Sequence, residues 1–517
     1  MNGSHAVAAA RSARVDGTAW AAALITLAIH LAANPHYGFF RDELYFIICG
    51  FHPAWGYVDQ PPVVPLLAAG SQLFGHSLFL LRAIPAAFAA GGAYVTCRIA
   101  AELGGGIFAK VLATCAFLAA GVLESFGMKV GPDMVGLWLW PLTALYVLRV
   151  VRGADPRWWL AAGACTGVAL QSKYSAIFFG AALVVGLLLT QARRVLLSPW
   201  FLAGVAVAVL IALPNFLWQA AHGFPMWELL RNGQNGKNVV APPALFLFQQ
   251  LLLTNLFASP VWIVGLVWLF FNKTARFLGW TYVLLIAMMI ALHAKHYYPA
   301  DVYPILMAAG GVAFELATRR IALWRPVLIA ATVLAGLFFA PFSLPVLSEP
   351  AMLQYSGFVS QVLHINRSAM ATEHGRTSAL PEDWADMHGW PELAATVAQI
   401  YHSLPPDRRA QAAIVGSNYG EAAAIDFFGP AYGLPPAISR HNNYWLWGTR
   451  GYTGNVIVDI DGDCAAHDDP SLFRSKRLVT TFDAPWVISY EHDIPISLCE
   501  GITQPLSQLW PKLKMYI

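Results

Sequence analysis

Residues 36–75 read HYGFFRDELYFIICGFHPAWGYVDQPPVVPLLAAGSQLFG, and this stretch decides the fold. It belongs to a segment, residues 36–80, that is too aromatic and apolar for an ordinary loop, yet it carries the adjacent acids Asp42 and Glu43 and a third acid, Asp59. Amphipathic stretches rich in aromatic residues are typical of helices that lie in the plane of a membrane interface. We therefore expect one or two interfacial helices here, with their polar groups facing a cavity.

The composition of the whole chain is that of a membrane protein. Of its 517 residues, 57% are hydrophobic and only 12% are charged, which is far more apolar than an average soluble domain. The net charge of +3 is small and the bases are scattered through short loops, so they form no basic stripe of the kind that nucleic acid requires. We expect membrane lipids, and no nucleic acid, as partners.

Eleven apolar segments resemble membrane spans, which need about 20 residues each. They lie near residues 18–35, 81–101, 107–127, 133–150, 158–172, 175–190, 199–220, 244–271, 277–293, 299–317 and 323–345. An N-terminus in the cytoplasm, with Arg11 and Arg14, places most loop bases inside, as the positive-inside rule requires. The prediction is a multi-pass protein of the plasma (inner) membrane whose first span is not cleaved and whose tail lies outside.

Two domains are predicted: a transmembrane domain at residues 1–347 and a soluble extracytoplasmic α/β domain at residues 348–517. The tail regains polar residues, and its β-rich runs lie at residues 413–415, 455–459 and 486–488. Cys464 and Cys499 lie in this tail. Outside the cell they could form a disulfide, and two unrelated thiols are an equally good interpretation.

The acids near the first span are candidates for catalysis. An ionised carboxylate at membrane depth costs roughly 2.5–3.5 kcal/mol, so a use for it is expected. We predict Asp42 as a general base that removes a proton from an attacking hydroxyl, with Glu43 and Asp59 as further catalytic acids. Arg41 and Gln60 are predicted as supporting residues. Two alternatives stay open: Arg41 anchors the interface by pairing with either acid beside it, and Asp59 caps the helix after the prolines.

The cations predicted to lie outside stand in specific contexts. Lys173 interrupts an apolar stretch, and residues 293–299, HAKHYYP, gather Lys295, His296 and Tyr297 at a helix junction. Cations and hydroxyls at headgroup depth can neutralise a lipid-borne phosphate, and we predict this role for all four residues. Snorkelling of Lys173 and an aromatic belt at the junction are the alternatives. Histidines spaced by three residues make a weak metal site, so no metal is expected.

Several of these motifs occur in the order found in a known family. The Asp42-Glu43 pair, Asp59 before Pro-Pro, and the later LFG…LLRAIPA resemble the protein O-mannosyltransferases (glycosyltransferase family 39) and their relatives that move aminoarabinose to lipid A. The resemblance covers roughly residues 18–320. It implies a polytopic α-helical GT-C fold, a polyprenyl-phosphate sugar donor and an extracytoplasmic site with Asp42 as the base. Asp133 resembles a carboxylate at the start of the family's fourth span, although helix capping explains it almost as well.

One residue departs from the pattern: the aminoarabinose branch typically has a lysine before Pro-Pro, where this chain has Gln60. That departure weakens phosphate contact at this point and puts the aminoarabinose donor in doubt. Polar and aromatic residues at 418–421 and 441–445 suggest that the tail recognises the acceptor.

The expected activity is transfer of a sugar from a polyprenyl-phosphate donor, with inversion, to an acceptor glycan, lipid or protein. The donor is a substrate, and no cofactor is expected. A transporter or flippase of lipid-linked sugars is the rival interpretation, since it too would bury charges in a bundle. Clustering of the charges on one face, and the lack of an inverted repeat in the sequence, argue against that rival. A non-catalytic scaffold is a third possibility.

Overall fold

The computed structural model describes residues 16–236, 241–363, 378–462, 464 and 472–517. Arg11 and Arg14 lie outside these residues. The apolar part is helical because its long Ala- and Leu-rich runs bury their backbone polar groups in helices. Its helices are α1 (Gly17–Ala33), α2 (Arg41–Phe51), α3 (Val63–Ser71), α4 (Leu78–Glu102), α5 (Ile107–Ala119), α6 (Gly121–Met128), α7 (Gly136–Val151), α8 (Trp158–Leu170), α9 (Ala176–Leu188), α10 (Pro199–Ala221), α11 (Pro225–Gly236), α12 (Pro243–Leu253), α13 (Ser259–Phe271), α14 (Arg276–Ala291), α15 (Tyr303–Ala317) and α16 (Trp324–Phe339).

Four helical stretches among the described residues are long and apolar enough to cross a membrane. They are Leu78–Glu102, Pro199–Ala221, Ala300–Ala317 and Trp324–Phe342. The number rises to six if two bent pairs each count as one span: α5 with α6, bent by 71°, and α9 with the 3-10 helix Gln191–Leu197, bent by 115°. Six further apolar helices are 10–17 residues long. The count of eleven spans stays a prediction.

Two expected spans are wrong as continuous helices. The segment 107–127 contains α5 and α6, which are bent by 71° relative to each other. The segment 244–271 contains two helices, α12 and α13, because the chain breaks at Asn255, whose φ of 66° is left-handed. The acid-bearing segment 36–80 forms two short helices, α2 and α3, which pack on each other before the long helix α4.

The C-terminal part combines helices with one four-stranded sheet. Its helices are α17 (Glu349–Leu363), α18 (Glu382–Ala385), α19 (Trp390–Ser403), α20 (Pro406–Arg409), α21 (Tyr419–Phe428), α22 (Asn442–Leu446) and α23 (Leu506–Leu509), and its strands are β1 (Ala412–Gly416), β2 (Val456–Ile460), β3 (Phe473–Phe482) and β4 (Ile494–Ile502). The strand order is β1-β2-β4-β3, with β1 and β2 parallel and the other pairs antiparallel. A disulfide between Cys464 and Cys499 ties the chain after β2 to β4.

Two of the three expected strands are confirmed, and the third is wrong. The run 413–415 lies in β1, and the run 455–459 lies in β2 except for its first residue. The run 486–488 is not a strand: Trp486 has a left-handed φ of 69°, which does not continue a ladder. Ile488 of this run is instead buried in a cluster with residues of α1 and α6. The run is therefore apolar because it packs on the helical part of the protein.

Helix α21 joins the sheet domain to helix α2, against which it packs. Phe427 of α21 contacts the ring of Phe39 just before α2, with centroids 5.0 Å apart, and stacks on His76 at 4.1 Å. The predicted acids therefore lie where the helical bundle meets the sheet domain.

Candidate active site

Glu43 is fully buried and fixes the start of α2 against α4. Its Oε2 accepts hydrogen bonds from Arg82 Nη2 and the Phe40 N–H, both at 3.0 Å. Its Oε1 accepts from Arg82 Nε at 3.2 Å and from the Val130 N–H at 3.0 Å. Arg82, equally buried, also donates to two carbonyl oxygens of the 36–38 turn at 3.1 and 2.7 Å. Both carboxylate oxygens of Glu43 are therefore occupied within a buried ion pair. This geometry is that of a residue that positions α2, and it leaves no oxygen open for the catalytic role predicted for Glu43.

Asp42 differs from its neighbour because it faces the sheet domain and is only half-buried. Its Oδ1 accepts a hydrogen bond from the Tyr419 hydroxyl at 2.7 Å, whereas Oδ2 receives none from the residues that the structure describes. Burial, with the nearby charge of Asp42, raises the pKa of the Tyr419 phenol and keeps it a donor. Asp42 thus has one oxygen held in place and one oxygen open.

Arg41 joins α2 to the sheet domain. Its Nη2 lies 3.4 Å from Asp386 Oδ2, and its guanidinium lies over the rings of Tyr490 and Tyr419 at 5.0 and 5.6 Å. Burial raises the pKa of Asp386, although Arg41 opposes the shift. The interpretation that Arg41 pairs with one of the acids beside it is therefore wrong, because its ion-pair partner is Asp386 in the C-terminal part.

Asp59 is held by a tyrosine next to the one that holds Asp42. Its Oδ1 accepts a hydrogen bond from the Tyr45 hydroxyl at 3.1 Å, and the Tyr45 and Tyr419 rings lie 4.6 Å apart. The capping alternative for Asp59 is wrong, because the N-cap of α3 is Pro62 and no side chain caps that helix. Two phenols in contact therefore place the two acids at one junction.

The 57–63 segment, which carries Asp59 and Gln60, docks on the 171–174 turn. The Val63 N–H donates to Gln171 O at 3.0 Å. Gln219 of α10 bridges the two parts, because its Nε2 lies 2.9 Å from Tyr57 O and 3.2 Å from the Tyr174 hydroxyl. Gln60 is 1% exposed, and its amide oxygen and nitrogen have no hydrogen-bond partner among the described residues. Buried amides are normally paired, so a bound molecule is the natural partner for this one.

Lys173 lies in that turn and forms an ion pair with Asp133. Its ammonium group lies over the rings of Tyr298 and Tyr297, at 4.1 and 5.0 Å from their centroids. Asp133 does not cap α7, whose N-cap is Val135 without a side-chain bond. Capping by Asp133 is therefore wrong, and the two residues form an ion pair beside two phenols. Snorkelling by Lys173 stays an alternative.

Asp301 completes this cation-bearing side of the site. It is 2% exposed, and its Oδ1 has no hydrogen-bond partner within the described part of the chain. It packs so closely on Gly136 that a Cβ there would lie 1.8 Å from Oδ2, so only glycine fits. The sequence offered one signal for Asp301, its place directly after the HAKHYYP motif, and it was not among the predicted site residues.

Residues 295–298 form a half-buried turn between α14 and α15. The Tyr298 N–H donates to the Lys295 carbonyl at 3.2 Å, and the His296 carbonyl accepts from Gln250 Nε2 at 2.9 Å. The Tyr297 ring reaches Lys173, so the structure brings two of the predicted phosphate ligands together and places Lys295 and His296 in the adjoining turn. His293 is exposed, away from a shared ligand set.

The residues of the tail that suggested sugar recognition are used inside the protein. Asn443 is 2% exposed; its Oδ1 accepts from the Val58 N–H at 2.6 Å, and its N–H donates to the Tyr45 hydroxyl at 3.3 Å. It therefore braces the Asp59 turn. Among the described residues, one grouping could ligate a metal, namely the exposed Asp483, His492 and Asp493 on the β3–β4 loop. The absence of a metal from the reaction stays an expectation.

Comparisons with known proteins agree with this architecture. Residues 59–218 match the model of the family described as dolichyl-phosphate-mannose-protein mannosyltransferase, a range that includes Asp59 and Lys173. The crystal structure of ArnT from Cupriavidus metallidurans bound to undecaprenyl phosphate is similar with a TM-score of 0.63 at 17% identity, covering 94% of this chain and 99% of that chain. The fold is the GT-C fold.

The apo state of the same ArnT gives a TM-score of 0.61 at 16% identity, covering 92% of this chain and 96% of that chain. No curated protein is significantly similar. The resemblance to the mannosyltransferase family is confirmed for a shorter range than the 18–320 expected from the motifs. With its several apolar helices, the chain is a multi-pass membrane protein.

Proposed function

We propose that this protein is a membrane glycosyltransferase that moves a sugar from a polyprenyl-phosphate donor to an acceptor, with inversion at the anomeric carbon. The observation that carries the proposal is a connected set of contacts: Asp42, which has an open oxygen, is linked through Tyr419 and Tyr45 to the Asp59 segment, and that segment docks on the turn with Lys173 and its tyrosines. Asp42 can take a proton, and the Lys173 turn can take a phosphate. Undecaprenyl phosphate bound to ArnT, which has the same fold, supports a polyprenyl carrier.

Asp42 acts as the general base in this mechanism. The acceptor hydroxyl gives its proton to Asp42 Oδ2 while its oxygen attacks the anomeric carbon. The bond from that carbon to the phosphate oxygen breaks, and the electron pair leaves with the polyprenyl phosphate. Tyr419, which donates to Oδ1 at 2.7 Å, fixes the carboxylate so that Oδ2 faces the acceptor.

The leaving phosphate is stabilised by Lys173 with Tyr297, and by Lys295 and His296 from the adjoining turn. A cation placed where charge develops lowers the barrier most when it is already oriented, and Asp133 and the two phenol rings orient Lys173.

Gln60 and Asp59 border the space between the two groups. The side-chain amide of Gln60 has both a donor group, Nε2, and an acceptor, Oε1, without partners among the described residues. This combination suits a sugar hydroxyl, which both donates and accepts, better than a phosphate, which only accepts. Asp59, held by Tyr45, is suited to accept a hydrogen bond from the sugar or the acceptor. Acceptor glycan, lipid and protein are all compatible with this site.

The test measures the amount of polyprenyl phosphate released from the donor, because this product can be quantified without knowing the acceptor. Membranes containing wild type, Asp42→Asn or the exposed control Asp407→Asn are given polyprenyl-phosphate sugars and a membrane extract, and lipids are quantified by mass spectrometry. We expect release with wild type and the control and a loss of about 10²- to 10⁴-fold with Asp42→Asn. Donor translocation without release in wild type would instead favour a flippase.

We also propose that the site and the C-terminal part face the extracytoplasmic side. His293→Cys, in an exposed position beside the Lys295 turn, should react with a membrane-impermeant maleimide in intact cells. Arg194→Cys, at the far end of α9, should react only after lysis. The opposite labelling pattern would refute this sidedness.

A further inference from the structure

A second group of cations lies at the opposite ends of α9 and α14 from the Lys173 and Lys295 turns. A cavity of about 300 Å³ opens where α9 ends, the 3-10 helix Gln191–Leu197 turns away by 115°, and α14 begins. Its walls include three cations and two leucines: Arg193, Lys273, Arg276, Leu188 and Leu189. Nothing in the proposed transfer reaction uses this cavity.

The charges of this cavity are unbalanced. No acid lines it, and no described acid lies within ion-pair distance of Arg193, Lys273 or Arg276. Arg276 is oriented by donation from its Nε to the Phe270 carbonyl at 2.7 Å. Three like charges around one small cavity repel one another, and an anion bound between them removes that repulsion.

The position of the cavity fits a lipid headgroup. With a rise of 1.5 Å per residue, α9 and α14 are about 20 and 24 Å long, and with their flanking turns they span roughly the hydrocarbon thickness of a bilayer. Lys173 and the cavity therefore lie near the two headgroup planes. Leu188 and Leu189 are 51% and 55% exposed at the mouth of the cavity, where acyl chains can pack.

We infer that this cavity binds the phosphate of an anionic glycerophospholipid, with Arg193, Lys273 and Arg276 on the phosphate and its acyl chains along the two leucines. A free phosphate would satisfy the charges but would leave the leucines uncovered, so the lipid is the better occupant. Basic pockets between membrane helices recognise anionic headgroups in this way. The inference is independent of the transfer reaction.

The experiment is native mass spectrometry of the full-length protein in detergent, titrated with phosphatidylglycerol or phosphatidylcholine. Wild type should retain phosphatidylglycerol in preference to phosphatidylcholine. In the double variant Arg193→Gln/Lys273→Gln this preference should be roughly 10- to 30-fold lower, since each base near a lipid surface raises the affinity for an anionic lipid by about a factor of five. The matched control is Arg194→Gln, an exposed arginine that does not line the cavity, and it should behave as wild type.

Several results would overturn the inference. Wild type without a preference between the two lipids would do so, and this measurement stands even if the double variant fails to fold. An unchanged preference in a folded double variant, or an equal loss in Arg194→Gln, would place the lipid elsewhere. Displacement of phosphatidylglycerol by millimolar inorganic phosphate would identify a free-phosphate site instead.

Discussion

Asp42 and Glu43 are neighbours in the chain, yet they belong to two differently built regions. Around Glu43 the region is closed: both carboxylate oxygens are bonded, and the Arg82 partner is as buried as the acid. Around Asp42 the region is open: one oxygen is held by Tyr419, and nearby buried groups such as the Gln60 amide lack partners among the described residues. Hydrogen-bond saturation, more than burial, separates the structural acid from the acid proposed to react.

The largest expected effect is on the closed region. Glu43→Gln leaves the Arg82 charge buried without its partner, and breaking such a pair costs about 3–5 kcal/mol. We expect a clear fall in the thermal unfolding midpoint of the purified protein in detergent, with activity lost through unfolding. Asp42→Asn should keep the wild-type midpoint.

The control for this stability effect is Glu500→Gln. Glu500 pairs with Arg408 at 3.0 Å, but that pair is exposed, and such pairs contribute about 0–1 kcal/mol. A Glu43→Gln protein as stable as the Glu500→Gln protein would show that the Arg82–Glu43 pair does not fix α2.

The buried acids behind Arg41 should give stability a pH dependence. Glu491 is 4% exposed, its Oε2 is unpaired within the described residues, and burial raises its pKa to about 7 from 4.5. Between these values folded Glu491 keeps a proton that the unfolded chain has released, so the contribution of Glu491 to stability falls as pH rises from about 4.5 to 7 and is level above that. The fall amounts to at most about 3 kcal/mol.

Unfolding midpoints measured from pH 5 to pH 8 test this dependence. Glu491→Gln should reduce the slope of the midpoint against pH, whereas Glu392→Gln, at an exposed position on α19, should leave it unchanged. A wild-type midpoint that rises with pH over this range would contradict the raised pKa.

The open region can be tested through its lysine. Lys173→Gln removes the charge proposed to hold the donor phosphate, and the loss of a charge-assisted hydrogen bond predicts a fall of about 10- to 100-fold in kcat/KM for the donor. Lys173→Arg should recover part of it. The matched control is Lys110→Gln: Lys110 also pairs with an aspartate, Asp16, at 2.8 Å and is similarly buried. Equal losses in the two glutamine variants would mean that Lys173 only stabilises the fold.

Much of the helical part of the fold could be predicted because apolar runs and loop bases are local signals. The acids of α2 and the cation of the 171–174 turn could be predicted in the same way, since charge inside an apolar run is conspicuous. Their partners could not. Asp386 and Tyr419 lie more than 330 residues beyond α2, in a polar tail where an acid or a tyrosine is unremarkable. The hydrogen bonds that distinguish Glu43 from Asp42 depend on these distant contacts and on Arg82, so the sequence presented the two acids as equivalent.

The smallest expected effect concerns the hydrogen bond that joins the two parts of the molecule at the proposed base. Tyr419→Phe keeps the ring contact with Tyr45 but removes the donor to Asp42 Oδ1, so the carboxylate is less well oriented. We expect kcat to fall roughly 3- to 10-fold. Tyr444→Phe is the matched control, because the buried Tyr444 hydroxyl also donates to an aspartate, Asp426, at 3.1 Å, away from Asp42. If both variants lower kcat equally, Tyr419 serves packing alone, and the open oxygen of Asp42 is positioned by α2 without help from the sheet domain.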